Sequence, residues 1–245
     1  MNLLTTLGYR YYGRGGYYGF DGTYLLVVIG LILSLAASAV VKSTFSKYAR
    51  VRSMSGLTGA QAAERVLHSC GIYDVSIEHV SGELTDHYDP RSRTLRLSTS
   101  TYGSNSVAAI CVAAHECGHA VQHQTGYGPL GLRSTLVPAA NLGSSLAWPV
   151  FVAGLIASLQ PLLYAGIILF LAAVLFQLVT LPVEFNASSR ALKILRENGI
   201  MPEEELREGR KVLNAAAMTY VASLAASVLQ LIRLIILAGG NKRRD

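Results

Sequence analysis

The chain has 245 residues, of which 51% are hydrophobic and 15% charged, with a formal net charge of +6. Soluble domains carry about 25% charged residues, so this deficit, with a mean hydropathy of +0.37, excludes a wholly soluble globule and leaves about 100 residues for a polar domain beside membrane segments. The basic residues form no single stripe interleaved with aromatics, which argues against nucleic acid as a partner, and the three cysteines show no C-x-x-C spacing, which favours a reducing compartment over a disulfide framework.

Residues 1–23 are a Gly/Tyr-rich lead (YRYYGRGGYYGFDG) without an apolar period. They read as flexible, with tyrosines that suit either a membrane interface or an unstructured segment. Residues 24–41 are an apolar run of ~27 Å as a helix, enough to span a hydrocarbon core. Ala37-Ser38-Ala39 has the small residues of a signal-peptide cleavage site, but the run is too long for an ordinary signal core and lacks a lysine before it, so a retained anchor is expected. Lys42, Lys47, Arg50 and Arg52 follow it, and that basic bias puts the next segment in the cytoplasm, with the chain a multi-pass protein of the cell membrane.

Residues 42–133 carry most of the polar sequence. Thr58 and Gln61 have the spacing of a capping box, opening a helix that Gly71 stops. Asp74–Val80, Glu83–Tyr88 and Thr94–Ser98 read as short antiparallel strands, with Asp89-Pro90-Arg91-Ser92 as turn chemistry. A Ser/Thr/Gly loop follows, and Ser106 is the expected N-cap of the next helix.

That helix holds His115-Glu116-Cys117-Gly118-His119. Histidines four residues apart project from one face, where two imidazoles can bind one Zn²⁺. Glu116 sits beside them, placed to take a proton from a zinc-activated water. Alanine, valine and glycine surround these three polar groups, and polar groups in apolar surroundings need a partner, which a metal supplies. His123, one further turn on, lies about 5.4 Å along the rod and reads as a helix-end histidine rather than a ligand. Cys117 points off the His115/His119 face. His87, in the strand before the turn, is a candidate either for steadying the tetrahedral intermediate from the cleft wall or for a plain strand-surface position.

Residues 142–181 read as a two-span hairpin broken at Gln160, with Pro149 as a possible kink. A hairpin returns the chain to the side it left. Residues 182–212 therefore share a side with His115 and His119. Pro182 suits the first turn of a new helix, and Glu184 on it is the expected third ligand, since catalytic zinc sites take three protein ligands and often two His with one Glu. Met201-Pro202-Glu203-Glu204-Glu205 opens a further helix. Its continuation over residues 213–238 is apolar enough for a fourth span, with Arg233 able to snorkel and a basic tail at 239–245.

Three segments together, LTDHYDPR (84–91), AAHECGHAVQ (113–122) and LPVEFNASSR (181–190), resemble the YugP-type membrane zinc metallopeptidases of bacteria, in the same order along the chain. More distantly the layout is similar to the HtpX heat-shock protease and the CaaX prenyl endopeptidases. In those, a ligand glutamate follows membrane spans, and an aspartate four residues later supports a ligand histidine. Glu184 matches the ligand, but the aspartate position is Ser188, so Ser188 or Asn186 would have to give that support.

The resemblance implies a zinc peptidase with a zincin-like (gluzincin-type) catalytic domain, which the residue pattern reads as an α+β unit combined with about four transmembrane helices. The site's place at the membrane edge points to an endopeptidase acting on peptide or protein substrates at the bilayer, in membrane-protein quality control. An extended substrate is expected to add along an edge strand near Thr94–Leu97. An accessory membrane protein or a homo-oligomer are the partners considered. The rival reading is a membrane scaffold whose metal site is structural, closed in its fourth position by His123, His87 or Cys117. Cleavage within the bilayer fits less well, because polar sequence flanks the motif on both sides.

Overall fold

The computed structural model describes residues 21–241; most of the tyrosine-rich lead and the last basic residues lie outside them. The described chain is mostly helical with one small sheet: α1 (Tyr24–Tyr48), α2 (Gly59–Ser69), β1 (Ser76–Val80), β2 (His87–Asp89), β3 (Thr94–Ser98), a single turn α3 (Thr99–Tyr102), α4 (Val107–Gln124), α5 (Gly128–Ile156), α6 (Gln160–Glu197) and α7 (Glu203–Asn241). Among the described residues four helices, α1, α5, α6 and α7, are long and apolar enough to cross a membrane.

Two units divide the chain. The first gathers residues 21–35, 138–175 and 222–241 of the described chain, the apolar ends of the four long helices. Small residues set its packing. A Cβ on Gly143 would stand 2.2 Å from the Leu169 carbonyl oxygen, and one on Gly154 would stand 2.9 Å from the Leu163 nitrogen, so α5 and α6 approach backbone to backbone. Arg233 reaches to the start of α1. It is 6% exposed, donates from Nε to the Thr23 hydroxyl at 3.3 Å, and its guanidinium lies 4.3 Å from the Tyr24 ring centre and 5.6 Å from that of Trp148. Two aromatic faces attract the cation where no water reaches it.

The second unit, residues 36–137 and 176–221, holds the polar sequence. The capping box forms as its spacing required: the Thr58 side chain accepts from the Gln61 amide and the Gln61 side chain from the Thr58 amide. Helix α2 buries Ala62, Ala63, Val66 and Leu67 in a core shared with Leu95, Leu97, Ile110, Ala114 and Leu195. The sheet order is β1-β3-β2, with β1 parallel and β2 antiparallel to β3.

Three expectations are corrected here. The strands are not all antiparallel. Thr94–Leu97 is no edge, because β3 is flanked on both sides and is the most buried strand; a strand with apolar residues at Leu95 and Leu97 and neighbours on each side has no free amides to offer a substrate. Pro182 does not start a helix, since α6 runs through it from Gln160 to Glu197. The proline removes one bond to the Leu178 carbonyl, and the apolar packing of Val183, Ala187, Ala191 and Leu195, all fully buried, carries the helix across.

Candidate metal centre

Ser106 caps α4 as its type and position predicted, its hydroxyl accepting from the Ala109 amide. The apolar face of α4 is buried from Val107 to Val121, which fixes the helix rigidly and turns His115, Glu116 and His119 to its other side. Against them lies α6. A Cβ on Gly118 would stand 2.6 Å from the carbonyl oxygen of Ala187. Only a glycine lets the two backbones come that close, and the approach brings Glu184 over the histidine pair.

The donor atoms of His115, His119 and Glu184 all lie within 4.8 Å of one another. Glu184 Oε2 is 3.4 Å from His115 Nε2 and 3.6 Å from His119 Nε2. Ligands held at about 2.0–2.1 Å on a tetrahedral Zn²⁺ stand about 3.4 Å apart, so the spacing fits that ion. Glu184 is 2% exposed, and its Oε2 is buried with no hydrogen-bond partner. An ionised oxygen aimed between two imidazole nitrogens costs several kcal/mol unless a cation completes it. Burial alone would push the His119 imidazolium pKa down, but the carboxylates of Glu184 and Glu116 outweigh it and the pKa is raised. The cluster attracts positive charge.

The far nitrogens are tied back. His115 Nδ1 lies 3.1 Å from the Ser188 hydroxyl, and His119 Nδ1 lies 3.0 Å from Gln122 Oε1. The buried Gln122 amide donates to the Val183 carbonyl at 2.8 Å and to Asn186 Oδ1 at 3.0 Å. Its oxygen is thereby turned to His119, which must donate from Nδ1 and keep a lone pair on Nε2. Asn186 is fixed in turn by the Arg190 guanidinium at 2.8 Å. Thus both weaker substitutes for the expected aspartate are engaged, Ser188 directly and Asn186 through Gln122.

Glu116 accepts from the Tyr88 amide at 3.1 Å through Oε2, which leaves its other oxygen available. It lines a cleft of about 210 Å³ with His115, Glu184, Asp86, Ser188 and Tyr220. Two of the groups here escaped the sequence. Arg133 Nη1 lies 3.3 Å from Glu184 Oε1, and Tyr220 joins the cleft wall from α7. Neither belongs to a local motif, and each is far along the chain from Glu184.

Other candidates lie elsewhere. His87 is exposed, its Nδ1 2.9 Å from the Thr85 carbonyl, and Leu84 and Asp86 line the cleft in its place. His123 pairs with the Tyr88 hydroxyl at 2.9 Å. Cys117 is fully buried with its sulfur 3.6 Å from the Ala63 carbonyl, and burial raises its pKa well above the ordinary thiol range. None of the three joins the cluster of His115, His119 and Glu184 among the described residues.

Two histidines from one helix and a glutamate from another, with Glu116 beside them, are the donor types that a zinc hydrolase site uses. Residues 23–239 match the family described as "Putative neutral zinc metallopeptidase", and the chain belongs to that family, which brings Zn²⁺ as its cofactor. It is 49% identical over 212 residues to "Putative membrane protease YugP" of Bacillus subtilis (strain 168), covering 86% of this chain and 94% of the relative. No solved structure matches.

Proposed function

We propose that the protein is a membrane-anchored zinc endopeptidase in which His115, His119 and Glu184 hold the metal and Glu116 moves the proton. The observation that carries this is the buried, unpartnered Oε2 of Glu184 facing both imidazole nitrogens. When bound, zinc supplies Lewis acidity, acidifying a water and polarising the peptide carbonyl.

The chain supplies the rest. Glu116 takes the proton of the attacking water on the oxygen that Tyr88 leaves free and delivers it to the departing amine. Tyr220, which lines the cleft with Glu116, is the better candidate for donating to the developing oxyanion than His87. The free edge of β2, whose Tyr88 amide reaches Glu116, is where an extended substrate would lie.

The cleft and the polar segment are read as cytoplasmic, from the basic residues after α1. Membrane-near loops of other proteins are the substrate class this position favours, which suits membrane-protein quality control. The polar segment of residues 42–133, the hairpin of 142–181 and the returning segment of 182–212 are read as parts with these separate duties.

The test is Glu116→Gln in the zinc-loaded, membrane-embedded protein. Cleavage of a casein-like substrate is expected to fall at least a hundredfold with zinc content unchanged. Undiminished cleavage by the loaded variant rules the mechanism out.

A further inference from the structure

Helices α1 and α7 each present two faces in the second unit. Val41 of α1 and Leu213, Ala216, Ala217 and Tyr220 of α7 line the metal cleft. The adjoining faces of the same helices line a separate groove of about 540 Å³, built from Val40, Ser43, Thr44 and Lys47 of α1 and Lys211, Asn214, Ala215 and Met218 of α7, over the ring of Tyr48. Both sets have the i, i+3, i+4, i+7 spacing of one helical face.

The groove is graded along its length. Lys47 and Lys211 stand at the end away from the apolar run of α1, hydroxyls and an amide occupy the middle, and Val40 and Met218, 51% and 50% exposed, stand at the end toward it. Neither lysine has a carboxylate within ion-pair distance among the described residues, and the groove lining contains no acid. Buried Tyr48 packs on Ala108 and Val212 and makes a firm floor. Two ammoniums without a carboxylate partner, that of Lys47 lying 5.3 Å from the ring centre of Tyr48, then hydrogen-bonding groups, then exposed apolar side chains, in a line along helices that enter the membrane, match the order of a phospholipid: phosphate, glycerol ester, acyl chain.

We infer that this groove binds an anionic phospholipid of the leaflet on the polar segment's side, its phosphate between Lys47 and Lys211 and its acyl chain along Val40 and Met218. The bound lipid braces the two helices that also wall the metal cleft.

The experiment uses the full-length, zinc-loaded protein in nanodiscs or detergent, with retention of phosphatidylglycerol and phosphatidylcholine read by native mass spectrometry. Wild type is expected to retain phosphatidylglycerol preferentially. The double variant Lys47→Gln/Lys211→Gln is expected to lose that preference by about 25-fold, about fivefold per lysine. Lys47→Arg/Lys211→Arg is expected to keep it, as is the control Lys193→Gln, whose lysine pairs with Glu197 on α6. Zinc content reports that each variant is folded. Equal retention of the two lipids by wild type, or an unchanged preference in the double glutamine variant, overturns the inference. So does displacement of the lipid by millimolar inorganic phosphate, which would make the groove a site for free anions.

Discussion

Glu184 is asked to stay ionised at 2% exposure, and the residues around it show how. Its Oε1 meets Arg133 at 3.3 Å, which leaves Oε2 alone to face the histidines. Arg133 is thus a positioning residue in the proposed site: by holding Oε1 it leaves Oε2 to face the histidines. Arg133→Gln is expected to weaken zinc binding about tenfold, read by competition with a chromogenic chelator, while Arg133→Lys recovers part of the loss because it restores charge without the planar fork. Gln122→Ala is expected to cost 10–100-fold in zinc affinity, since His119 loses the acceptor that fixes its tautomer.

At the same scale, the two fully buried cysteines, Cys111 and Cys117, are inert. Burial pushes the Cys111 thiol up to about 12, so its thiolate is not available to a metal. Asp89 behaves in the opposite sense. The Ser92 hydroxyl and the Arg91 amide hold its carboxyl at about 2, against about 3.9 in an unfolded chain. Its turn therefore contributes fully above about pH 4, and that contribution is lost as pH falls through about 2. Asp89→Asn is expected to flatten this acid limb in hydrogen exchange of residues 91–93.

Helix contact is where the second unit is most sensitive. Gly118 is the clearance between α4 and α6: a methyl there meets backbone, which cannot swing aside. Gly118→Ala is expected to push Glu184 away from the histidines and abolish stoichiometric zinc binding while α4 itself remains helical, because alanine favours a helix by about 1 kcal/mol over glycine. Zinc content by mass spectrometry with helicity by circular dichroism separates these effects. A second contact of this kind joins α4 to α7, where a Cβ on Gly209 would overlap the Cys111 sulfur. At the start of α7 the buried Glu205 accepts from the Ser53 hydroxyl at 2.6 Å and the Met54 amide at 2.7 Å, tying that helix to the turn after α1.

For the whole molecule, the membrane sets the terms. Each of α1, α5, α6 and α7 continues beyond a span's length without a break, so α6 carries Glu184 on the same helix as a candidate span. Met54 is 84% exposed in the polar segment. In a Cys70→Ser background, Met54→Cys is expected to react with a membrane-impermeant maleimide only in inverted membrane vesicles. Reaction in intact cells would place the metal centre outside.

The sequence by itself determined what is local. The capping box at Thr58, the Ser106 cap, the His115/His119 face and the four apolar runs follow from spacing within one helix or one strand, where neighbours in the chain are neighbours in space. Family membership was legible too, because three short segments carry it. The tertiary structure alone decided which strand is flanked, that α6 passes through Pro182, that Arg133 meets Glu184 and Gln122 meets His119, and that Tyr220 lines the cleft. Strand order, helix continuity across a proline and the partner of a buried carboxylate depend on packing between distant segments. There, apolar burial and electrostatic pairing outweigh local propensity, and no pattern along the chain records the result.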